Sequence, residues 1–236
     1  MSTIPEEPGR FSLRLEGSEF WSGDLGLTLI TLTLLVFIFV ILPLQEAGLP
    51  ARIVLDCALV LSMVAGALKI EERRGTTIFA IAVVLAAAMV LWISLVHPTP
   101  AIQRACSLLS AIAFLTYAWI VLLVMFRRGR VTWTRLQGGV AAYLLIGLAW
   151  SSAYQLVEQL HAGSFHFLAA PTDFEQLSAK LSYFSFATLT TVGFGDVTPV
   201  APFARSLAIG EGLVGQLFPA ILIGALVAMA MSSRSK

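Results

Sequence analysis

Six blocks of mostly apolar residues, near 25–43, 53–69, 77–96, 105–126, 138–160 and 202–232, constrain this chain more than any other feature. Each has about the length that a helix needs to cross the hydrocarbon of a bilayer, roughly 17–25 residues or more. Backbone in lipid finds no water to bond, so blocks of this kind must be helices. Hydrophobic residues make up 58% of the 236, and charged residues only 12%. A soluble domain carries about a quarter charged residues, and the apolar excess here falls in blocks. The expected class is an all-α integral membrane protein. A formal net charge of +1 gives no reason to expect a nucleic-acid partner. Cys57 and Cys106 each lie inside an apolar block and read as plain core thiols. Two cysteines so placed support neither a disulfide framework nor a metal site, and no cofactor is expected.

Loop charges set the direction of the spans. Eleven of the 15 Lys and Arg residues fall on one side, among them Arg73, Arg74, Arg127, Arg128, Arg130 and Arg135. Only Arg52, Arg104, Lys180 and Arg205 fall on the other. The positive-inside rule therefore predicts that both termini are cytoplasmic. The leader Met1–Asp24 is acidic and lacks a small-residue cleavage pattern, so it reads as a cytoplasmic segment and not a signal peptide. The expected organisation is a four-helix transmembrane domain over 25–126, a linker over 127–136, a second unit over 137–232 and a tail over 233–236. Trp21, Trp92 and Trp133 fall near block ends, where indole rings anchor at the interface.

Between the last two spans lies a stretch near 173–190 that is too short and interrupted to cross. Thr172 and Glu175 have the spacing of a capping box, which predicts a helix start there. That helix continues through the aromatic run Tyr183, Phe184 and Phe186 to Leu189. Thr191-Val192-Gly193-Phe194-Gly195 must then lie at membrane depth without helical hydrogen bonds. Non-helical backbone survives there only when it is buried in protein or lines a wet cavity. The prediction is a re-entrant loop. A cation leaving water needs rings of oxygen ligands, and stacked backbone carbonyls can supply them. Aiming successive carbonyls the same way requires alternating backbone handedness. Gly193 and Gly195 can take positive φ at no steric cost, with Val192 and Phe194 between them. Thr191 adds a hydroxyl oxygen at the inner end, and the C-terminal end of the preceding helix favours a cation.

Thr190-Thr191-Val192-Gly193-Phe194-Gly195-Asp196 resembles the signature of potassium channels, with Phe where Tyr is commoner. The resemblance extends over about 137–232 as outer helix, pore helix, selectivity filter and inner helix. It implies six transmembrane helices plus a re-entrant pore helix and filter loop, assembled as a homotetramer around K⁺. By that likeness Thr191, Val192, Gly193 and Phe194 coordinate the ion, and Gly195 completes the filter. Thr190 and Thr188 support it, and Asp196 braces the outer mouth by hydrogen bonding an aromatic such as Tyr183. Ala187 stands where some relatives place a carboxylate, and Phe194 lacks the hydroxyl that Tyr offers. The function implied is passive, potassium-selective conduction and not enzymatic catalysis. The expected partners are membrane lipid, K⁺ and further copies of the chain, in the plasma membrane of a bacterial cell.

Voltage sensing by a fourth-helix arginine array is not expected, because the block 105–126 contains no Arg or Lys. No cytosolic ligand-binding module is expected beyond the last span. The gating stimulus is not written in the residues. A non-selective cation channel is the nearest alternative, disfavoured by the intact Gly-Phe-Gly. An intramembrane enzyme is more distant, since His97, His161 and His166 lie in or beside external loops and no paired intramembrane aspartates occur.

Glu211, Gly215 and Pro219 mark the last span. Glu211 is expected to hydrogen-bond the back of the pore helix near Thr188, with coupling of pH to gating through its protonation as the alternative. Ionisable groups inside a membrane commonly serve such roles. Gly215 aligns with the hinge glycine of potassium-channel inner helices. Pro219 loses the bond to residue i−4, which is Gly215 itself. The expected gate is a bend over 215–219, with close helix packing by the glycines as the alternative. Replacing Pro219 by Ala is expected to straighten the helix and change open probability in single-channel records. Unaltered gating would remove the hinge.

Overall fold

The structure, a computed structural model, describes residues 28–46, 60, 74–126 and 133–234. Apart from Val60, the expected span at 53–69 lies outside the described residues, as do the segment 1–24 and Cys57. Helix α1 is Thr28–Gln45, with a five-residue π-helical stretch at Phe37–Ile41. It is followed by α2 (Arg74–Val96), α3 (Pro100–Met125) and α4 (Trp133–Leu160). Strand β1 (Phe165–Phe167), helix α5 (Phe174–Leu189), strand β2 (Val197–Pro199) and helix α6 (Pro202–Arg234) complete the order.

Among the described residues, four helices are long and apolar enough to cross a membrane, with windows at Thr28–Gln45, Pro100–Leu123, Leu136–Leu160 and Pro202–Ala228. Within α2 the apolar run is shorter, Ala82–Ser94. With these helices the chain is a multi-pass membrane protein. One core forms where α1, α3 and α4 meet, through Leu34, Phe37, Tyr117, Val121, Leu145 and Leu148. A second gathers Tyr154 of α4, Phe165 of β1, Leu181 and Phe184 of α5, Val197 of β2 and Ala204 of α6. Tyr154, Phe165 and Phe184 meet edge to face, with ring centroids 5.1–5.4 Å apart. Such pairs contribute beyond the area they bury, and here they join three segments. Cys106 is buried, as its place inside an apolar block predicted.

Helix α5 starts one residue later than the Thr172–Glu175 box implies. Asp173 is the N-cap, its Oδ1 accepting the Gln176 N–H at 2.8 Å, while Gln176 Oε1 accepts the Thr172 N–H at 3.1 Å. The segment holds two overlapping capping patterns, and Asp173 is the residue in extended backbone conformation, as an N-cap requires.

The two strands were not anticipated. Phe165 pairs with Pro199, His166 with Thr198 and Phe167 with Val197, in antiparallel register. Val200 N and Ala201 N both donate to Ser164 O, and Leu168 N donates to Asp196 O. The chain entering α5 and the chain leaving the loop after it are therefore tied side by side, so α5 and residues 190–196 form a closed excursion. The turn leading into β1 is gripped by Glu158. Its carboxylate accepts the N–H of Gly163 at 2.8 Å and of Phe165 at 3.0 Å. Gly163 takes φ +84°, a conformation that costs glycine nothing. Replacing Glu158 by Ala strands the N–H of buried Phe165 and is expected to cost about 1–3 kcal/mol. The check is a lowered thermal midpoint in detergent, largely restored by Glu158→Gln, which keeps one acceptor.

Candidate functional site

Every filter residue singled out in the sequence falls at the C-terminal end of α5. The last carbonyls of a helix lack intrahelical partners, and here the following residues supply them. Thr190 N donates to Phe186 O at 3.0 Å and Thr191 N to Thr188 O at 2.9 Å. Val192 N and Gly193 N both reach Ala187 O, at 2.9 and 3.1 Å. Thr190 Oγ1 adds a second bond to Phe186 O at 2.6 Å. In a trans peptide the carbonyl of one residue points opposite to the N–H of the next, and no cis peptide is present among the described residues. With the N–H groups of 191, 192 and 193 turned toward the helix end, the carbonyls of Thr190, Thr191 and Val192 point away from those acceptors. Residues 190–195 are all exposed in the protomer.

Backbone handedness alternates, as the two glycines predicted. Gly193 has φ +57° and Gly195 φ +85°. Thr191 has φ +60° as well, the one positive-φ non-glycine among the described residues. A β-branched residue resists this region, so its partners must hold it there. One is its own N–H bond to Thr188. The other was not foreseen: Gln216 of α6 donates from Nε2 to Thr191 Oγ1 at 3.0 Å.

Around the outer end, Tyr183 of α5 stacks on Phe194 with centroids 5.8 Å apart and planes inclined by 13°. The contact gives Phe194 an anchor that needs no hydroxyl. Asp196 lies beside Tyr183 and Lys180 in one cleft, also lined by Phe167 and Leu168. Its Oδ1 accepts the Val197 N–H at 3.1 Å.

Behind the loop, Glu211 is fully buried. The expected partner near Thr188 is corrected: Oε2 of Glu211 accepts the Tyr154 hydroxyl of α4, and Oε1 that of Ser185 of α5, each at 2.5 Å. Ser185 sits one helical turn closer to the N-terminus of α5 than Thr188, on the side that faces Glu211 of α6. Its Oγ also lies 2.7 Å from Gly147 O of α4. Three helices thus meet at one carboxyl group.

Gly215 sits where α6 passes the end of α5. A Cβ on it would lie 1.9 Å from Leu189 O, the carbonyl that the Tyr143 hydroxyl of α4 also bonds at 3.0 Å. Close packing is therefore a requirement at Gly215, whereas Gly212 and Gly224 have no neighbour within 4 Å. Helix α6 runs unbroken through Pro219.

Residues 142–232 match the model of a family described as "Ion channel". Over 86 residues, 36% of this chain, the sequence is 35% identical to a protein of rice, Oryza sativa subsp. japonica, named "Two pore potassium channel c". Over 41 residues, 17% of this chain, it is 49% identical to proteins of Bacillus caldotenax and Geobacillus stearothermophilus named "Protein LctB". The matches span 17% of the rice protein and 30% of each bacterial one. The segment with this site is similar to ion-channel domains, and one of the relatives it resembles is named as a potassium channel.

Two neighbouring glycines separate packing from helix propensity. Gly215→Ala is expected to drive α6 off Leu189 and to lower both thermal stability and current. Gly212→Ala gains up to ~1 kcal/mol of helix propensity and is expected to hold or raise the thermal midpoint in the same assay.

Proposed function

We propose that this chain is one subunit of a homotetrameric, potassium-selective channel that conducts K⁺ passively across the membrane. The observation that carries the reading is the set of N–H groups of 191–193 turned back to the end of α5, which sends the carbonyls of 190–192 the other way, with alternate residues 191, 193 and 195 at positive φ. Carbonyl oxygens so aimed can replace the hydration shell of a cation, and a ring of them needs several copies around one axis. In a single chain the walls of the loop stay open, Val192 being 54% and Phe194 68% exposed. Helix α6 likewise leaves Ile209, Leu213, Leu217 and Ile221 exposed at four-residue spacing. Neighbouring subunits would cover both.

In this reading α4 is the outer helix, α5 the pore helix and α6 the inner helix of a re-entrant pore. Six spans, counting α2 and the block at 53–69, bring both termini to the cytoplasmic side of a bacterial inner membrane. Thr191, Val192, Gly193 and Phe194 supply the ion-coordinating oxygens, and Gly195 the turn above them. Thr190 and Thr188 hold the filter to the pore helix, and Asp196 with Tyr183 braces its outer mouth. Gly215, Pro219 and Glu211 shape the inner helix and its opening. No enzymatic activity and no cofactor are part of the proposal.

The test is the reversal potential of the purified protein in planar bilayers under opposed K⁺ and Na⁺ gradients. A value near the K⁺ equilibrium potential is expected, lost in Gly193→Asp, which forces a side chain into a positive-φ position. Clear currents that reverse near zero would replace the proposal with a non-selective cation pore.

A further inference from the structure

We propose that Gln216 sets how tightly the innermost cation site of the filter holds its ion, acting through the hydroxyl of Thr191. The inference rests on the channel reading above and extends it to a residue of the inner helix outside the signature. Its geometric basis begins one residue earlier. Gly215 lets α6 approach the end of α5 more closely than any side chain would allow. The next residue, Gln216, is thereby brought to the base of the loop, its Nε2 3.0 Å from Thr191 Oγ1 across 25 residues of sequence. Both residues are exposed in the protomer, as the loop residues are.

A threonine hydroxyl has one proton and two lone pairs. The amide N–H of Gln216 occupies one lone pair, leaving one for a cation. It also brings the positive end of its dipole beside the position a cation would take. The hydroxyl ring of the innermost site is therefore a weaker acceptor than free threonine side chains would form. Conduction requires sites that are favourable enough to enter yet weak enough to leave. Gln216 supplies the second condition at the end of the filter that opens toward the inner helices. The same bond helps keep Thr191 at φ +60°, so position and acceptor strength of the hydroxyl are set together. Gln216 is a positioning residue: it touches Thr191, and Thr191 touches the ion.

Barium reports on such a site, being a doubly charged ion of about the size of K⁺ that dwells where oxygen ligands are strongest. The experiment measures inhibition of the K⁺ current of the full chain in planar bilayers by Ba²⁺ added on the Gln216 side. Gln216→Leu removes the donor and is expected to tighten Ba²⁺ inhibition on the order of tenfold. Gln216→Glu replaces the donor by an acceptor and should tighten it further. In a Thr191→Cys background, where a thiol is a poor acceptor, the effect of Gln216→Leu should disappear. Unchanged or weaker inhibition in Gln216→Leu overturns the role, as does an equal effect with and without the Thr191 hydroxyl. Should Gln216→Leu fail to assemble, Gln216→Met has similar length, lacks the N–H and carries the same expectation. A parent protein without K⁺-selective current would instead defeat the channel reading itself, which the reversal potential reveals before Ba²⁺ is added.

Discussion

The C-terminal end of α5 has carbonyls with no helical partners, and the loop that follows turns its N–H groups back to fill them. Everything else about the site depends on this exchange. Because the peptides are trans, each N–H turned toward Phe186, Ala187 or Thr188 sends a carbonyl the other way. The helix end that organises the loop is also the partially negative end of its dipole. One arrangement thus satisfies buried backbone, aligns oxygens and biases the local field toward cations. Ala187 is central to it, since its single carbonyl receives two N–H groups.

Such a loop cannot hold itself. Its far end is secured by the β1–β2 ribbon and by the Glu158 carboxylate that shapes the turn before it. Its near end is secured by α6, through Gly215 against Leu189 and Gln216 on Thr191. Behind it, Glu211 joins α4, α5 and α6 through Tyr154 and Ser185. A buried carboxyl is costly unless its oxygens are bonded, and each oxygen here has a hydroxyl. Movement of α6 along its axis would break these bonds together, which makes α6 and the loop one mechanical unit.

Much of the site was legible from residue types alone. Gly193 and Gly195 announced positive φ, and the span lengths announced a membrane. Misses occurred where the deciding partner is distant in sequence. Thr191 carries no glycine-like mark, yet takes positive φ because Thr188 and Gln216 restrain it. The cap fell on Asp173 and not Thr172 because two capping patterns overlap by one residue. Glu211 was expected near Thr188, but a helix presents residues three or four apart to the same neighbour, and Ser185 is the one that faces α6. Short strands 165–167 and 197–199 left only weak traces, a Phe-His-Phe alternation and a β-branched pair before Pro199.

By itself, the sequence determined that this is a helical membrane protein with a loop in which Gly193 and Gly195 take positive φ. Those properties follow from local rules: apolar length, glycine's freedom at positive φ, and the unfilled carbonyls at a helix end. Tertiary structure decided which side chains hold the loop in place. Gly215 and Gln216 come to its base from α6, the β1–β2 ribbon ties its outer end, and Tyr154 and Ser185 join the helices behind it through Glu211. No periodicity encodes those meetings, because they depend on how closely α4, α5 and α6 pack, and on a glycine that lets two backbones touch.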